Sequence, residues 1–352
     1  MAKVRSKRAT TLHNKPTIRD VARLAGVGVG SVSRVVNKHA SVKPKTREAI
    51  ERIIAEIGYE PDSIAGSMRR VTTHTVGCVI RDFNLPGFAE FLNSAESVFR
   101  AAGYTMLLAN TEDRKDLEIS LLKTLSQRRT DGILMTLSDE TDPELMAALD
   151  RSKMKVVFIN RDMDSKHDRL LLDHRNGMIQ AIKYLLSLGH RQIALITSEA
   201  NIYPGRSRIS GYQAALKQAK ITVDRNLIRS GITNINNAFR EVSSLLSEKE
   251  PPTAIVVGGR SLLVGALRAI RNLGLRIGPD VSLITDSDSE LAELTTPAIT
   301  AVKWDLKEWG QTAAQMLIER LKQGTNTEPR RIVISTELVV RDSCAPVRRA
   351  AK

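Results

Sequence analysis

The sequence has little of what marks secreted, membrane-embedded or metal-binding proteins. Two cysteines, Cys78 and Cys344, occur in 352 residues, too few for a disulfide framework or a metal cluster. No apolar run approaches the roughly 18 residues of a transmembrane helix, and the basic N-terminus has no apolar segment typical of a signal peptide. We therefore expect a cytoplasmic protein.

Signals for catalysis are also missing. No G-x-G-x-x-G motif follows the first predicted strand, and neither a Walker A lysine loop nor a G-x-S-x-G nucleophile turn occurs. No metal-ligand spacing is found among the six histidines, which are His13, His39, His74, His167, His174 and His190. We therefore expect no enzyme activity, no metal and no cofactor.

Positive charge is concentrated at the N-terminal end. Residues 1–70 hold 15 lysine and arginine residues against six acidic residues, so this fifth of the chain carries +9 of the net charge of +14. A solvated basic surface would account for this charge, and so would a domain that neutralises DNA phosphates. Charge alone does not decide between them, but the local pattern does.

The same segment predicts three short helices. Thr17 and Asp20 are spaced as a capping box that starts the first helix, and Gly26 supplies a left-handed residue that ends it. The second helix runs from about Val29 to Asn37, and the third stops at Gly58. The predicted buried positions are Val21, Leu24 and Ala25, then Val32, Val35 and Val36, then Ala49, Ile50, Ile53, Ile54 and Ile57. The pattern predicts a helix-turn-helix domain, with a plain three-helix bundle as the alternative.

The second helix begins with almost no side chains. Gly28 suits the N-cap position, and Gly30 in the first turn lets the backbone approach DNA closely. A recognition helix enters the major groove by this end. The predicted contacts are Arg34 with guanine O6 and N7, Val29 with a thymine methyl group, and Ser31 and Ser33 with base edges or phosphates.

Residues 17–70 closely resemble the head of the lactose-repressor (LacI/GalR) family of bacterial transcription regulators. The matching stretches are TIRDVARLAGVGVGSVSRVVN and SVKPKTREAIERIIAEIGYEPDSIAGSMRR. The resemblance implies a hinge helix that folds on the operator, with Ala65 close to the minor groove and Met68 as its apolar wedge. The predicted DNA-contacting residues are Thr17, Val29, Gly30, Ser31, Ser33, Arg34, Asn37, Lys43, Tyr59, Ala65 and Met68.

From residue 74 onward, apolar strand-like runs alternate with helical segments. The clearest runs are TVGCVI, YTMLLAN, DGILMTL, KVVFIN, QIALITS, TAIVVGG and VSLITD. This alternation predicts βαβ units with parallel sheets covered on both faces, and their number favours two doubly wound lobes. A ligand is expected in the cleft between the lobes, at the carboxyl ends of the strands.

The resemblance implies that this part is a periplasmic-binding-protein-like core in which the chain crosses between lobes three times. The implied organisation is a helix-turn-helix domain at 16–61, a hinge at 62–73, an effector-binding and dimerisation core at 74–343 and a tail at 344–352. Lobe one is expected at 74–173 with 303–329, and lobe two at 174–302 with 330–343.

Polar residues at predicted strand ends are the candidate effector contacts. By the resemblance, the residues near the cleft are Asp82, Asn84, Phe88, Arg161, Asp173 and Arg208. Arg208 lies in the motif RSRISGY, whose arginine pairs with effector oxygens in the family, and a forked guanidinium suits that task. The alternatives are helix capping by Asn84 and salt bridges formed by Arg161 and Asp173.

Two departures from the family pattern bear on the chemistry of the effector. Arg260 stands where the family usually has aspartate, and Ser287 where it often has one. Both changes remove acceptors suited to neutral sugars, and Arg260 adds positive charge. We hypothesise an anionic effector, such as a sugar acid or another small carboxylate, held by Arg208 and Arg260. The alternative is that Arg260 pairs internally with Asp286 or Asp288.

The resemblance also implies a homodimer, because one head covers only half of a pseudo-palindromic operator. The segment RDSCAPVRRAAK has no leucine heptads, so we expect no tetramerising coiled coil. An effector between the lobes would bias their closure, change the spacing of two heads and shift operator affinity by about 1–3 kcal/mol. The expected function is transcriptional repression on the nucleoid, with a family activator or a solute-binding protein as alternatives.

Overall fold

The computed structural model describes residues 16–37, 39, 41–59, 72–83, 87–163, 166–259, 261–323 and 327–347. The chain divides into two compact units, an N-terminal unit up to Thr73 and a larger unit from His74. Among the helices in these ranges, none combines the length and apolar character needed to cross a bilayer.

The N-terminal unit contains the three predicted helices, which are α1 (Ile18–Leu24), α2 (Val29–Val36) and α3 (Pro44–Ile57). The predicted capping box is present, since the Thr17 backbone N–H donates to the Asp20 carboxylate at 3.0 Å and the Thr17 hydroxyl accepts from the Asp20 N–H. Gly26 has a φ of +66° and turns the chain from α1 into α2, as predicted. Gly58 is also left-handed and ends α3.

The core of this unit is small. Its buried residues are Val21, Ala22, Val32, Val35, Ile50 and Tyr59. The prediction that Leu24 is buried is wrong, because its side chain is 52% exposed. With 100° between successive helical residues, Leu24 lies roughly a third of a turn away from the face that Val21 and Ala22 share.

Lobe one of the larger unit is built on a six-stranded sheet. Its strands are β1 (Thr75–Ile80), β2 (Thr105–Asn110), β3 (Gly132–Met135), β4 (Lys155–Ile159), β5 (Asp168–Leu172) and β11 (Arg331–Ile334). All pairings are parallel in the order β11-β5-β4-β3-β1-β2. The accompanying helices are α4 (Phe88–Ala101), α5 (Lys115–Gln127), α6 (Pro143–Ser152) and α12 (Leu306–Gln323).

Lobe two contains a second six-stranded sheet. Its strands are β6 (Ile193–Thr197), β7 (Ile228–Arg229), β8 (Ala254–Gly258), β9 (Ser282–Thr285), β10 (Thr300–Lys303) and β12 (Glu337–Val339). Its helices are α7 (His174–Ser187), α8 (Tyr203–Gln218), a short 3₁₀ helix (Arg225–Leu227), α9 (Ile235–Leu246), α10 (Leu262–Asn272) and α11 (Glu290–Leu294). The order is β12-β10-β9-β8-β6-β7, and β12 alone among the described strands runs antiparallel to its neighbour.

The predicted fold class is confirmed: helix-turn-helix elements precede a core of two largely parallel sheets. The chain crosses between the lobes after β5, after β10 and after β11. The predicted lobe boundary at residue 330 is wrong, because β11 pairs with β5 in the sheet of lobe one. Arg330 binds the buried Asp168 at the start of β5, which holds this segment on lobe one.

Candidate functional site

Helix α2 presents a bare N-terminal end. Gly28 is its N-cap, and within the described part of the chain no side chain caps the helix. Val29 is 40% exposed, and Gly30 and Arg34 are also exposed. A Cβ atom at Gly30 would meet no atom within 4 Å, so the packing of the unit does not require glycine there.

The remaining predicted DNA contacts occupy different environments. Lys43 and Thr17 are exposed beside the starts of α3 and α1, whereas Asn37 donates its side-chain amide to the Ser33 carbonyl oxygen at 2.7 Å. Tyr59 is 8% exposed and belongs to the core of the unit, and its contact with DNA stays a prediction. Four predicted site residues lie outside the described residues, namely Ala65, Met68, Asn84 and Arg260.

A cavity of about 130 Å³ lies at the carboxyl ends of strands from both lobes, as the sequence predicts. Its wall is formed by Ile80, Arg81, Phe88, Thr136, Asn160, Arg161, Leu172, His174, Ser198, Ile202, Pro204, Arg208, Gly259, Asp286, Trp304 and Trp309. Pockets for drug-sized ligands measure about 300–1,000 Å³, so this cavity suits a small molecule.

The cavity brings together three of the predicted effector contacts, which are Phe88, Arg161 and Arg208. Asp173 instead caps α7, where its carboxylate accepts from the Asn176 N–H at 3.0 Å. Asp82 and Ser287 are not part of the wall, and Ser287 is 4% exposed.

Arg208 forms a buried ion pair in lobe two. Its Nε donates to Oδ2 of Asp286, a residue with no exposed surface, and His174 Nδ1 lies 3.2 Å from the same oxygen. Burial raises the pKa of Asp286, but Arg208 and His174 outweigh that effect and hold the pKa below its ordinary value. Asp286 is therefore ionised, and its charge balances that of Arg208.

Arg161 has a different environment in lobe one. It is 5% exposed, and its Nε and Nη1 donate to the carbonyl oxygens of Leu137 and Asn160. Within the described ranges, the carboxylate that comes within 4 Å is Glu140, whose Oε1 is 4.0 Å from Nε. Burial lowers the pKa of Arg161 below its ordinary value, because the charged form has little solvation there. Arg161 is thus a buried cation suited to receiving an anion.

Two buried polar atoms of the cavity wall have no hydrogen-bond partner among the residues described. They are Asp286 Oδ1, an acceptor in lobe two, and Trp309 Nε1, a donor in lobe one. Leaving such groups unpaired costs about 1–3 kcal/mol each, so a ligand that pairs with them would gain affinity. Phe88 and Trp304 add aromatic surface to the wall.

The sequence analysis missed Asn160 and His174 of the cavity wall and Glu140 beside Arg161, and it considered Asp286 only as a partner for Arg260. The available signal was position, because Asn160 follows β4, His174 follows β5 and Asp286 follows β9. Asp286 pairs with Arg208 and Asp288 with Arg341, and the predicted pairing of Arg260 with either carboxylate lies outside the described residues. Among the described residues, no group of side chains could hold a metal ion.

Two family models match the chain. Residues 17–62 match the family described as bacterial regulatory proteins, lacI family, and residues 182–344 match the periplasmic binding protein-like domain. A repressor of Vibrio atlanticus, HTH-type transcriptional repressor PurR, is 33% identical, and the match covers 93% of this chain and 98% of that protein. A PurR repressor of Proteus mirabilis is 31% identical over 94% and 97% of the two chains.

Solved structures of regulators are similar over nearly the whole chain. The lac repressor dimer bound to operator and the anti-inducer ONPF has a TM-score of 0.81 and 25% identity, covering 94% of this chain and 100% of that chain. The transcriptional regulator CelR–cellobiose complex has a TM-score of 0.71 and 30% identity, covering 93% and 99%.

Proposed function

Because the chain belongs to the LacI family of ligand-regulated, DNA-binding transcriptional repressors, we propose that it acts as a homodimer on a two-fold symmetric operator. Family members are regulators, so the family excludes the enzyme alternative, and the DNA-binding head excludes a plain solute-binding protein. We propose that this repression takes place in the cytoplasm, on the nucleoid.

The head, residues 16–61, reads the operator through the N-terminal end of α2. This proposal is supported by the open space around Gly30 and the exposure of Arg34, which together allow close approach and a bidentate contact with guanine. Phosphate contacts come from groups such as Lys43, and the hinge at 62–73 contributes Ala65 and Met68 to the minor groove.

Dimerisation uses the core, residues 74–343. The exposed leucines on β2 (Leu107 and Leu108) and on α11 (Leu291 and Leu294) support this part of the proposal, with Leu294 79% exposed. An edge strand and a short helix that carry leucine outward are typical of surfaces that a second copy covers.

The effector is a small carboxylate that also carries a hydrogen-bond donor, such as a sugar acid. The observation that carries this proposal is Arg161, a buried arginine in the cavity wall with no carboxylate at hydrogen-bond distance among the described residues. Arg208 is already balanced by Asp286, so we assign the main anion contact to Arg161. The unpaired Asp286 Oδ1 is suited to a hydroxyl group of the effector, and Arg260 remains a proposed second cation.

Such an effector would contact both lobes, since Arg161 belongs to lobe one and Asp286 to lobe two. A ligand that binds one lobe arrangement more tightly than another shifts the equilibrium between them by its differential affinity. Operator affinity follows that shift, with a coupling free energy of about 1–3 kcal/mol.

Selection of binding sites from random duplexes by the purified full chain tests the DNA-binding part. We expect a two-fold symmetric consensus, and Arg34→Ala to lose about 1–3 kcal/mol of binding free energy with relaxed preference at one base of each half-site. Arg52→Ala on α3, whose side chain is 72% exposed, is the matched control. Enrichment of no consensus would contradict the proposal.

Titration with matched pairs of a sugar and its acid, such as glucose and gluconate, tests the effector part. The chain has two tryptophans, Trp304 and Trp309, and both line the cavity, so intrinsic fluorescence reports its occupancy. We expect the acid to bind and the neutral sugar not to bind, with Arg161→Gln abolishing the response and Arg128→Gln leaving it unchanged. Binding of neutral sugars alone would rule the acidic effector out.

A further inference from the structure

The first turn of α8 is a part of lobe two that contacts lobe one directly. The Tyr203 backbone N–H donates to Glu140 Oε1 at 2.6 Å, and the Tyr203 hydroxyl donates to the Leu172 carbonyl oxygen at 2.9 Å. The Arg206 guanidinium donates to Glu140 Oε2 and to the carbonyl oxygen of Asp162. Glu140 receives both the ion pair from Arg206 and the hydrogen bond from the helix end.

Glu140 acts as a helix cap supplied by the opposite lobe. Residue Ile202 is the N-cap of α8 and has no side-chain acceptor to offer to the free N–H groups of the first turn. The Glu140 carboxylate, which lies between β3 and α6 of lobe one and is 2% exposed, accepts from the first of these groups. A negative charge is favourable at this position because the N-terminal end of a helix is partly positive.

The same carboxylate is linked to both arginines of the effector cavity. Arg208 lies on α8, five residues after the N–H group that Glu140 binds, so the docking of α8 determines where Arg208 stands relative to lobe one. Arg161 Nε lies 4.0 Å from Glu140 Oε1 on the other side. Separation of the lobes would break the contacts to α8 but leave the pair with Arg161, because Arg161 and Glu140 both belong to lobe one.

We propose that Glu140 is a positioning residue that holds the lobes in the arrangement described and thereby sets the geometry of the effector cavity. The conformational role stands on the contacts alone, and only its effect on ligand affinity rests on the proposed effector function. Arg206 acts together with Glu140, because it is the basic residue of α8 that forms an ion pair with Glu140 across the lobes.

Hydrogen–deuterium exchange of the full-length protein, read by mass spectrometry, tests the conformational role without DNA or effector. We expect Glu140→Ala to raise exchange in peptides covering residues 203–207 at least tenfold, and Glu140→Gln, which keeps an acceptor, to raise it less. Glu144→Ala is the matched control, because Glu144 pairs with Lys115 within lobe one and is 63% exposed. Unchanged exchange in strands β6 and β8 would show that the variants are folded.

Arg206→Ala completes a double-mutant cycle with Glu140→Ala, and we expect the double variant to exchange no faster than the stronger single variant. Gluconate is the ligand probe, and we expect Glu140→Ala to weaken its binding at least fivefold. If the wild-type chain binds no gluconate, the acidic-effector proposal fails while the exchange data still decide the role of Glu140. Exchange at 203–207 that is the same in Glu140→Ala and wild type would overturn the inference.

Discussion

Gly30 is a residue whose missing side chain has no explanation inside its own unit. Glycine destabilises the interior of a helix, and a Cβ atom here would have open space around it. A requirement for glycine must therefore come from outside the unit, and close approach of DNA to the first turn of α2 supplies it.

Gly30→Ala should consequently separate stability from function. We expect the free energy of unfolding of the head to rise by about 0.5–1 kcal/mol, because alanine restricts the unfolded chain and favours the helix. Operator affinity should fall about tenfold, a loss of about 1.4 kcal/mol, because the added methyl group holds the backbone away from the DNA. Thermal unfolding and gel-shift titration measure the two effects. Unchanged affinity would show that Gly30 does not approach the operator.

His167 is one residue that makes lobe one sensitive to acid. Its ring packs edge-on against Phe158 with the centroids 5.6 Å apart, and burial, with a smaller effect of Lys166, lowers its pKa to about 4. Between pH 6.5 and about 4 the unfolded chain binds a proton at His167 that the folded chain does not bind. The contribution of His167 to stability is therefore complete above pH 6.5 and decreases as the pH falls toward 4.

His167→Gln should remove this part of the pH dependence. From pH 7 to pH 4.5, the free energy of unfolding of the wild type should decrease by about 2 kcal/mol more than that of the variant. The reason is that one pKa unit corresponds to about 1.4 kcal/mol. Urea titrations at both pH values give the comparison, and the difference between the two pH values cancels any constant effect of the substitution. Parallel losses in both proteins would contradict the assignment.

At the scale of elements, strong local signals made α1 and the long apolar strands predictable. The capping box of Thr17 and Asp20 lies within one helical turn, so no distant residue is needed to recognise it. The strands β5, β7, β10, β11 and β12 were absent from the predicted alternation, and each of them has a charged residue at one end. Asp168 at the start of β5 is buried only because Arg320 and Arg330, from α12 and the approach to β11, bind it.

Helix α3 stabilises the head through very few buried side chains. Ile50→Ala removes a fully buried isoleucine and should cost about 2–5 kcal/mol, a large share of the stability of so small a core. We expect the variant to lose operator binding while the thermal transition of the larger unit stays where it is. Glu51→Ala, an exposed neighbour on the same helix, is the control. Retained binding at 37 °C would show that the head tolerates the cavity.

In the molecule as a whole, both sheets have edge strands, and exposed leucine side chains are found in both lobes. On β2, at one edge of the sheet of lobe one, Leu107 and Leu108 are 38% and 49% exposed; β11 forms the opposite edge. Lobe two adds Leu294, which is 79% exposed. Exposed leucines in both lobes give a second copy of the chain surface to cover.

The double variant Leu108→Lys with Leu294→Lys should therefore be monomeric. Burying a lysine against an apolar partner is unfavourable, so we expect sedimentation at the monomer position at concentrations where the wild type is a dimer, with thermal stability of each lobe retained. Val333→Lys on the opposite edge strand, where the valine is 40% exposed, should leave the dimer intact. A double variant that still sediments as a dimer would assign the interface to another surface.

The helix-turn-helix head, the alternation of strands and helices, and the location of a cavity at strand ends could all be predicted from the amino-acid sequence, because these features depend on residues close together in the chain and on general rules of parallel sheets. The charge of the cavity depends on contacts that form only when the chain is folded. Arg208 meets Asp286 across 78 residues, and Glu140 meets Tyr203 and Arg206 across 63 and 66 residues. Pairings over such separations depend on how the lobes pack, and no local pattern of residues encodes them.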